Sequence, residues 1–291
     1  VQTNIGHKMK TDTYQMATDK IIADLEGGTP TWCKPWKGDG GIKTRALMPT
    51  NLKSGKAYRG INPLMLWGLS HSNYFLTYKQ AIDLGGNVKK KEKAIASVIY
   101  WSMFGVKDKV TGKDKNVGFM KHSPVFSYEQ CENLKPLQEI LTADETIEEN
   151  HARADELLEQ ADIEYGGDTA CYIPKLDRIN MPIAKTFNST EDYYSTALHE
   201  LTHWTKHKSR LDRDMESYAK EELVAELGSA YLCASLNIEK QGVDLQHASY
   251  IKSWLQALKD DKKFIFQAAK FAQKASDYVQ GITYEKPTKG E

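Results

Sequence analysis

His199-Glu200-Leu201-Thr202-His203 is the stretch that decides the second half of this 291-residue chain. On a helix, positions i and i+4 share one face, so two imidazoles one turn apart can grip a single ion. The glutamate beside the first histidine can act as general base on water bound to that ion, or as the acid that returns the proton. His199 and His203 are therefore expected metal ligands, and Glu200 the expected catalytic group. Ser189, with Asp192 three residues on, marks a helix start. Ala197, Leu198, Leu201 and Trp204 give the helix an apolar side, so the motif sits on a half-buried helix.

A hydrolytic zinc site needs three protein ligands and one open position. Downstream, Tyr218 to Cys233 reads as a second amphipathic helix, with Glu222 and Glu226 on one face. Glu222 follows His203 after eighteen intervening residues. In this spacing the segment resembles the thermolysin-like and aminopeptidase-like gluzincins, whose third ligand is a glutamate on the next helix. The resemblance implies Glu222 as the third ligand and Glu226 as the carboxylate that orients a ligand histidine; the reverse assignment stays open. The implied cofactor is Zn2+, with another divalent ion such as Mn2+ as the alternative. His207, flanked by Lys206 and Lys208, is assigned to the exposed end of the helix, where the dipole favours cations.

The formal net charge of zero hides a division. Residues 1–136 hold 21 Lys+Arg against 11 Asp+Glu, and residues 137–291 hold 18 against 28. The two halves thus suit different partners, and the basic one suits nucleic acid. No apolar run approaches a membrane span, and the start of the sequence shows no apolar signal-peptide core. Cys33, Cys131, Cys171 and Cys233 are scattered without a Cys-x-x-Cys pair, which suits reduced thiols in the cytoplasm.

In the basic half, residues 12–26 have helical spacing and stop at Gly27-Gly28. Trp32, Lys34 and Trp36, then Lys53, Lys56, Tyr58 and Arg59, interleave aromatics with cations on loops. Such surfaces stack bases and track phosphates without reading sequence, so these residues are candidate contacts to single-stranded DNA. The run Lys89-Lys90-Lys91 is a further candidate. Trp67 and Trp101 lie in apolar runs and are assigned to the core. Short strands are expected at 75–78, 96–101 and 125–128, helices at about 64–69 and from Tyr78, and a lysine-rich turn between Val106 and Phe119.

These blocks, with Trp32-x-Lys34-Pro35-Trp36, Tyr58-Arg59-Gly60-Ile61-Asn62, Pro174-x-x-Asp177, Arg210-Leu-Asp-Arg and Glu221-Glu-Leu-Val-Ala-Glu226, resemble nearly end to end the ArdC-type antirestriction proteins of conjugative plasmids. The first block is also similar to one in TraC-type plasmid primases. The resemblance implies an N-terminal domain that binds single-stranded DNA and a C-terminal zincin domain. It further implies protection of plasmid DNA entering a recipient cell, with a restriction component as a conceivable protein substrate.

The expected fold is α+β in two domains: 1–136 for single-stranded DNA, 137–165 an acidic helix and linker running from Thr142 to about Asp162, and 166–291 the zincin domain. Residues 170–173 should form an edge strand able to pair with an extended peptide. Residues 250–279 read as one long helix ahead of a frayed tail after Gly281. Tyr172 or Tyr218 could polarise an oxyanion. The rival functions are a single-strand coat with a purely structural metal and a stand-alone peptidase whose basic half binds protein. A nuclease is disfavoured, because no carboxylate-rich Mg2+ site is evident.

Overall fold

Asp12 opens helix α1 (Thr13–Glu26) by accepting from the backbone N–H groups of Tyr14 and Gln15. The structure, a computed structural model, describes residues 12–28, 30, 32, 47–107, 112, 114–140, 146–239 and 245–283. Strand β1 (Thr50–Asn51) and helix α2 (Asn62–Leu66) follow, then strand β2 (Tyr74–Leu76). Thr77 and Gln80 close a reciprocal capping box that starts helix α3 (Tyr78–Asp83). Strand β3 (Asn87–Val88) leads to the long pair β4 (Ala96–Lys107) and β5 (Asp114–Ser127), and β6 (Cys131–Glu132) pairs back with β3. The main sheet of this half has the order β1-β2-β5-β4. Its β4–β5 ladder runs from Ala96↔Val125 to Lys107↔Asp114, so the strands reach well into the stretch 106–119 read as a turn.

Helices α4 (Leu137–Ile140) and α5 (Ile147–Leu158) come next. The acidic helix is shorter than expected: Thr146 and Glu149 cap its start, and Asp162 belongs to strand β7 (Asp162–Tyr165). The alternating Asp162-Ile163-Glu164-Tyr165 pairs in parallel with β9 (Arg178–Met181), which is a better use of that pattern than another helical turn. Strand β8 (Cys171–Ile173) lies at the edge of this sheet, order β7-β9-β8, as the sequence leads one to expect. Helices α6 (Thr190–Trp204), α7 (Tyr218–Ser235), α8 (Leu245–Asp260) and α9 (Phe264–Val279) complete the chain. The expected single C-terminal helix is thus two. The Asp261 side chain accepts from Lys263 N–H, and the backbone turns there instead of continuing. The tail after 283 lies outside the described residues.

The mixed α+β architecture agrees with expectation, and one buried cluster draws on both halves. Ala17, Ile21, Leu25, Leu64, Trp67 and Ile99 pack with Leu223, Val224, Tyr231, Trp254, Phe264 and Ala272. Tyr231 donates to the Gly60 carbonyl at 2.7 Å, Gly60 N–H donates to Gln273, and Thr18 donates to the Lys262 carbonyl. A second cluster, built from α5, β8, β9, α6, the end of α7 with Leu236 and Ile238 after it, and Val279 of α9, supports the helix that bears the histidine motif. Trp67 is core, as read, but Trp101 is not: it is 64% exposed. No helix among the described residues is long and apolar enough to cross a membrane.

Candidate metal centre

The Ser189 hydroxyl accepts from Asp192 N–H at 3.0 Å and starts α6 where the motif requires. This helix presents His199, Glu200 and His203, and α7 faces it with Glu221, Glu222 and Glu226. Gly228 lets the two helices approach. A Cβ there would lie 2.4 Å from Thr202 Cγ2, so any larger residue would push the pair apart. Ser229 ties the pair further by donating to the Ser195 carbonyl at 2.7 Å.

Each imidazole has a carboxylate on each side. His199 Nε2 and His203 Nε2 lie 3.4 and 3.3 Å from the two oxygens of Glu222. On the far side, His199 Nδ1 lies 3.3 Å from Glu226 and His203 Nδ1 lies 3.1 Å from Glu221. His199, His203 and Glu222 offer three donor atoms within 4.8 Å of one another, a set that fits a divalent ion. Glu226 and Glu221 stand where a carboxylate fixes a ligand's tautomer and ring orientation.

Charge explains how these groups coexist in a buried site. Burial alone would lower the pKa of His199, but Glu222 and Glu226 overcome it and push the value up to about 10. Burial would likewise raise Glu222, yet the two imidazoles hold it well below the usual carboxylate range. Glu221 is also held low against burial, by His203 and Arg213. Arg213 is itself buried and grips Glu221 through two bonds of 3.0 and 2.7 Å. Nη1 donates to Thr205 Oγ1 and Nη2 donates also to the Thr202 carbonyl, which anchors the side chain to the end of α6.

Glu200 is buried, and one of its oxygens accepts the backbone N–H of Tyr172 at 2.7 Å. The edge strand β8 therefore aims the candidate base. The Tyr172 hydroxyl points elsewhere. It donates to Asp177 at 2.9 Å and lies 3.4 Å from Arg210, and burial followed by Asp177 pushes its pKa up to about 12. Tyr218 differs: it is 67% exposed and stands edge-on to Tyr250, and partial burial, followed by the neighbouring Tyr250 and Glu222, raises its pKa. His207 lies beyond the end of α6, bonded to Ser209 and 3.8 Å from Asp177, away from the metal donors.

Similarity to known proteins follows the same layout. A family model described as the N-terminal domain of anti-restriction factor ArdC matches residues 11–126, and one described as a zincin-like metallopeptidase matches residues 152–271. The solved structure of antirestriction ArdC protein from plasmid R388, metal-free, superposes with a TM-score of 0.78 at 43% identity, covering 93% of this chain and 97% of that one. The chain belongs to the ArdC family of antirestriction proteins. The R388 ArdC protein has also been solved with Mn(II) bound, and that structure matches at a TM-score of 0.74, 41% identity, and 93% and 98% coverage. An uncharacterised protein of Sinorhizobium fredii, y4eC, is 34% identical over 92% of each chain. Two Escherichia coli DNA primases named TraC are 38% and 37% identical over 91% and 94% of this chain, which spans only 20% and 27% of their lengths.

In this ArdC-family chain the candidate DNA contacts are placed unevenly. Trp32 is buried in the shared core, so it offers no stacking face. Tyr58 is half-buried, edge-on to Phe75, with its hydroxyl accepting from Asn51. Lys53 pairs with Asp83 at 2.5 Å, and Arg59 pairs with Asp277 of α9. Lys56, Lys90 and Lys91 are exposed, as is Lys89, which donates to the Glu129 carbonyl. Lys34 and Trp36 lie outside the described residues. Sequence reading missed Glu221 and Arg213 as site residues. The available signal was an arginine eight residues before a glutamate that itself adjoins the expected ligand.

Proposed function

We propose that this chain is a single-stranded-DNA-binding antirestriction protein that holds one divalent cation on His199, His203 and Glu222. The observation that carries the metal assignment is the convergence of both Nε2 atoms on Glu222, while each Nδ1 is backed by another carboxylate. Glu226 is then the orienting group for His199, and Glu221, held by Arg213, the one for His203. The similar R388 protein binds Mn(II), and the His2Glu donor set equally suits Zn2+. When bound, such an ion supplies Lewis acidity, lowering the pKa of water and polarising a carbonyl.

The chain's own residues then suit peptide hydrolysis. Glu200 takes a proton from the attacking water and returns it to the leaving amine, its carboxylate kept in place by the Tyr172 N–H. An extended peptide would lie along edge strand β8. Tyr218 is the candidate to donate to the developing oxyanion, because the Tyr172 hydroxyl is engaged by Asp177 and Arg210. In the other half, the excess of Lys and Arg supports binding of single-stranded DNA and protection of plasmid DNA entering a recipient cell.

Glu200→Gln separates the chemistry from the binding. The variant should keep metal content, melting temperature and DNA affinity, and should lose peptidase turnover by roughly 100-fold or more. Plasmid transfer into a restricting recipient then shows which activity protects. Full protection by Glu200→Gln is the expected result, since a protein that covers the strand needs no proteolysis. Failure to protect despite normal metal and DNA binding would assign protection to proteolysis instead.

A further inference from the structure

Exposure along the β4–β5 hairpin changes with length rather than with face. At its base Val98, Ile99 and Val125 are buried, at 9, 5 and 0% exposed. Beyond them, Tyr100 is 45% exposed, Trp101 64%, Met103 63% and Val106 38%, on both faces of the ladder. A sheet packed on one side would bury every second residue throughout. Met120, opposite Trp101, still packs against the core, and beyond that pair the hairpin is an arm standing clear of it.

The arm carries its aromatics in a particular way. Trp101 and Met103 share a face, and the residue directly opposite Met103 is Gly118. A Cβ at 118 would meet Met103 Sδ at 2.9 Å and the Trp101 ring at 3.6 Å. The two side chains thus lie down across the glycine and form a low apolar patch. On the opposite face Tyr100 sits across from Lys121, whose ammonium lies 4.8 Å from the Phe119 ring. Lys107 and Lys121 are exposed on the same ladder. Exposed π-faces beside exposed lysines complement a flexible polyanion with unstacked bases. In a duplex those faces are already stacked on one another.

Resting on the single-strand reading above, we propose that the β4–β5 arm is the surface on which single-stranded DNA lies, with Trp101 as its stacking platform. The full chain is titrated with a labelled 30-nucleotide oligothymidylate, followed by fluorescence anisotropy at fixed salt. Trp101→Ala should weaken binding about tenfold, and Trp101→Phe should retain most of the affinity. Both variants should keep the wild-type melting temperature, because the side chain is exposed. Equal affinity of Trp101→Ala and wild type, with wild type binding the oligonucleotide, would overturn the arm and leave the single-strand reading standing. A wild-type protein that does not bind oligothymidylate would refute that reading and the arm with it. If Trp101→Ala turned a dimer into monomers at unchanged DNA affinity, the arm would be a self-association surface, and the proposal would fall.

Discussion

The α6–α7 pair and the β4–β5 arm both bring unusual side chains together, by opposite means. In the helix pair every ring nitrogen of His199 and His203 faces a carboxylate, and Arg213 is buried behind Glu221. On the arm, Trp101 and Met103 rest on a glycine and face solvent. The first geometry is held from all sides by packed neighbours. The second is held only by a ladder of backbone bonds. A site that grips a small ion needs the former, because donor atoms must stay within a few tenths of an ångström. A surface that meets a long flexible partner tolerates the latter.

The sharpest test of the helix side is removal of single carboxylates. Glu222→Ala should abolish stoichiometric metal, measured by elemental analysis after dialysis against micromolar Zn2+ or Mn2+. Glu226→Ala should cost about 10–100-fold in affinity, the range for groups that orient a ligand. It should also leave a smaller metal-dependent rise in melting temperature than wild type shows. If Glu226→Ala proves the more damaging of the two, the ligand and its support must be exchanged.

Two glycines test the contrast directly. Gly228→Ala forces a methyl to within 2.4 Å of the Thr202 Cγ2, in a buried β-branched side chain held by its own bond to the Leu198 carbonyl. It should destabilise the chain by roughly 1–3 kcal/mol in urea unfolding, and Thr202→Ala should recover part of that loss. Gly118→Ala meets the end of a flexible, exposed methionine, which can swing aside, and should cost under about 0.5 kcal/mol. Equal costs at the two positions would mean that the arm is as tightly packed as the helix pair.

A small effect that depends on pH is expected at Asp177, on the turn between β8 and β9. The Arg210 guanidinium, and after it the Tyr172 hydroxyl, hold this carboxyl below its usual range, with burial opposing. A depressed carboxylate contributes stability above its unfolded pKa of about 3.9 and loses it as pH falls through the folded value. Asp177→Asn should therefore lower stability near pH 7 by about 1 kcal/mol or less, since the side chain is partly exposed. The gap to wild type should close as the pH falls below about 4. Asparagine tolerates the φ of +52° found there, so backbone strain does not confuse the measurement. A gap that stays constant down to pH 3 would remove the carboxylate from the account.

What the sequence by itself determined is periodic. Helical spacing put His199 and His203 on one face of a helix and Glu222 and Glu226 on one face of the next, and Ser189 marked the start of the first, because side-chain direction along a helix follows from residue number alone. The division of charge at 136/137 is likewise independent of folding. Which side of each imidazole a carboxylate occupies depended on how closely α6 and α7 approach, and Gly228 decides that only once the helices face each other. Glu221 and Arg213 escaped notice for the same reason: their roles exist only across a helix–helix contact. Trp32 and Trp101 exchanged places, one into the core and one out, since an aromatic in a short segment is buried only if another layer covers it. Residue order sets which way a side chain points; the tertiary structure alone decides whether anything lies there to meet it.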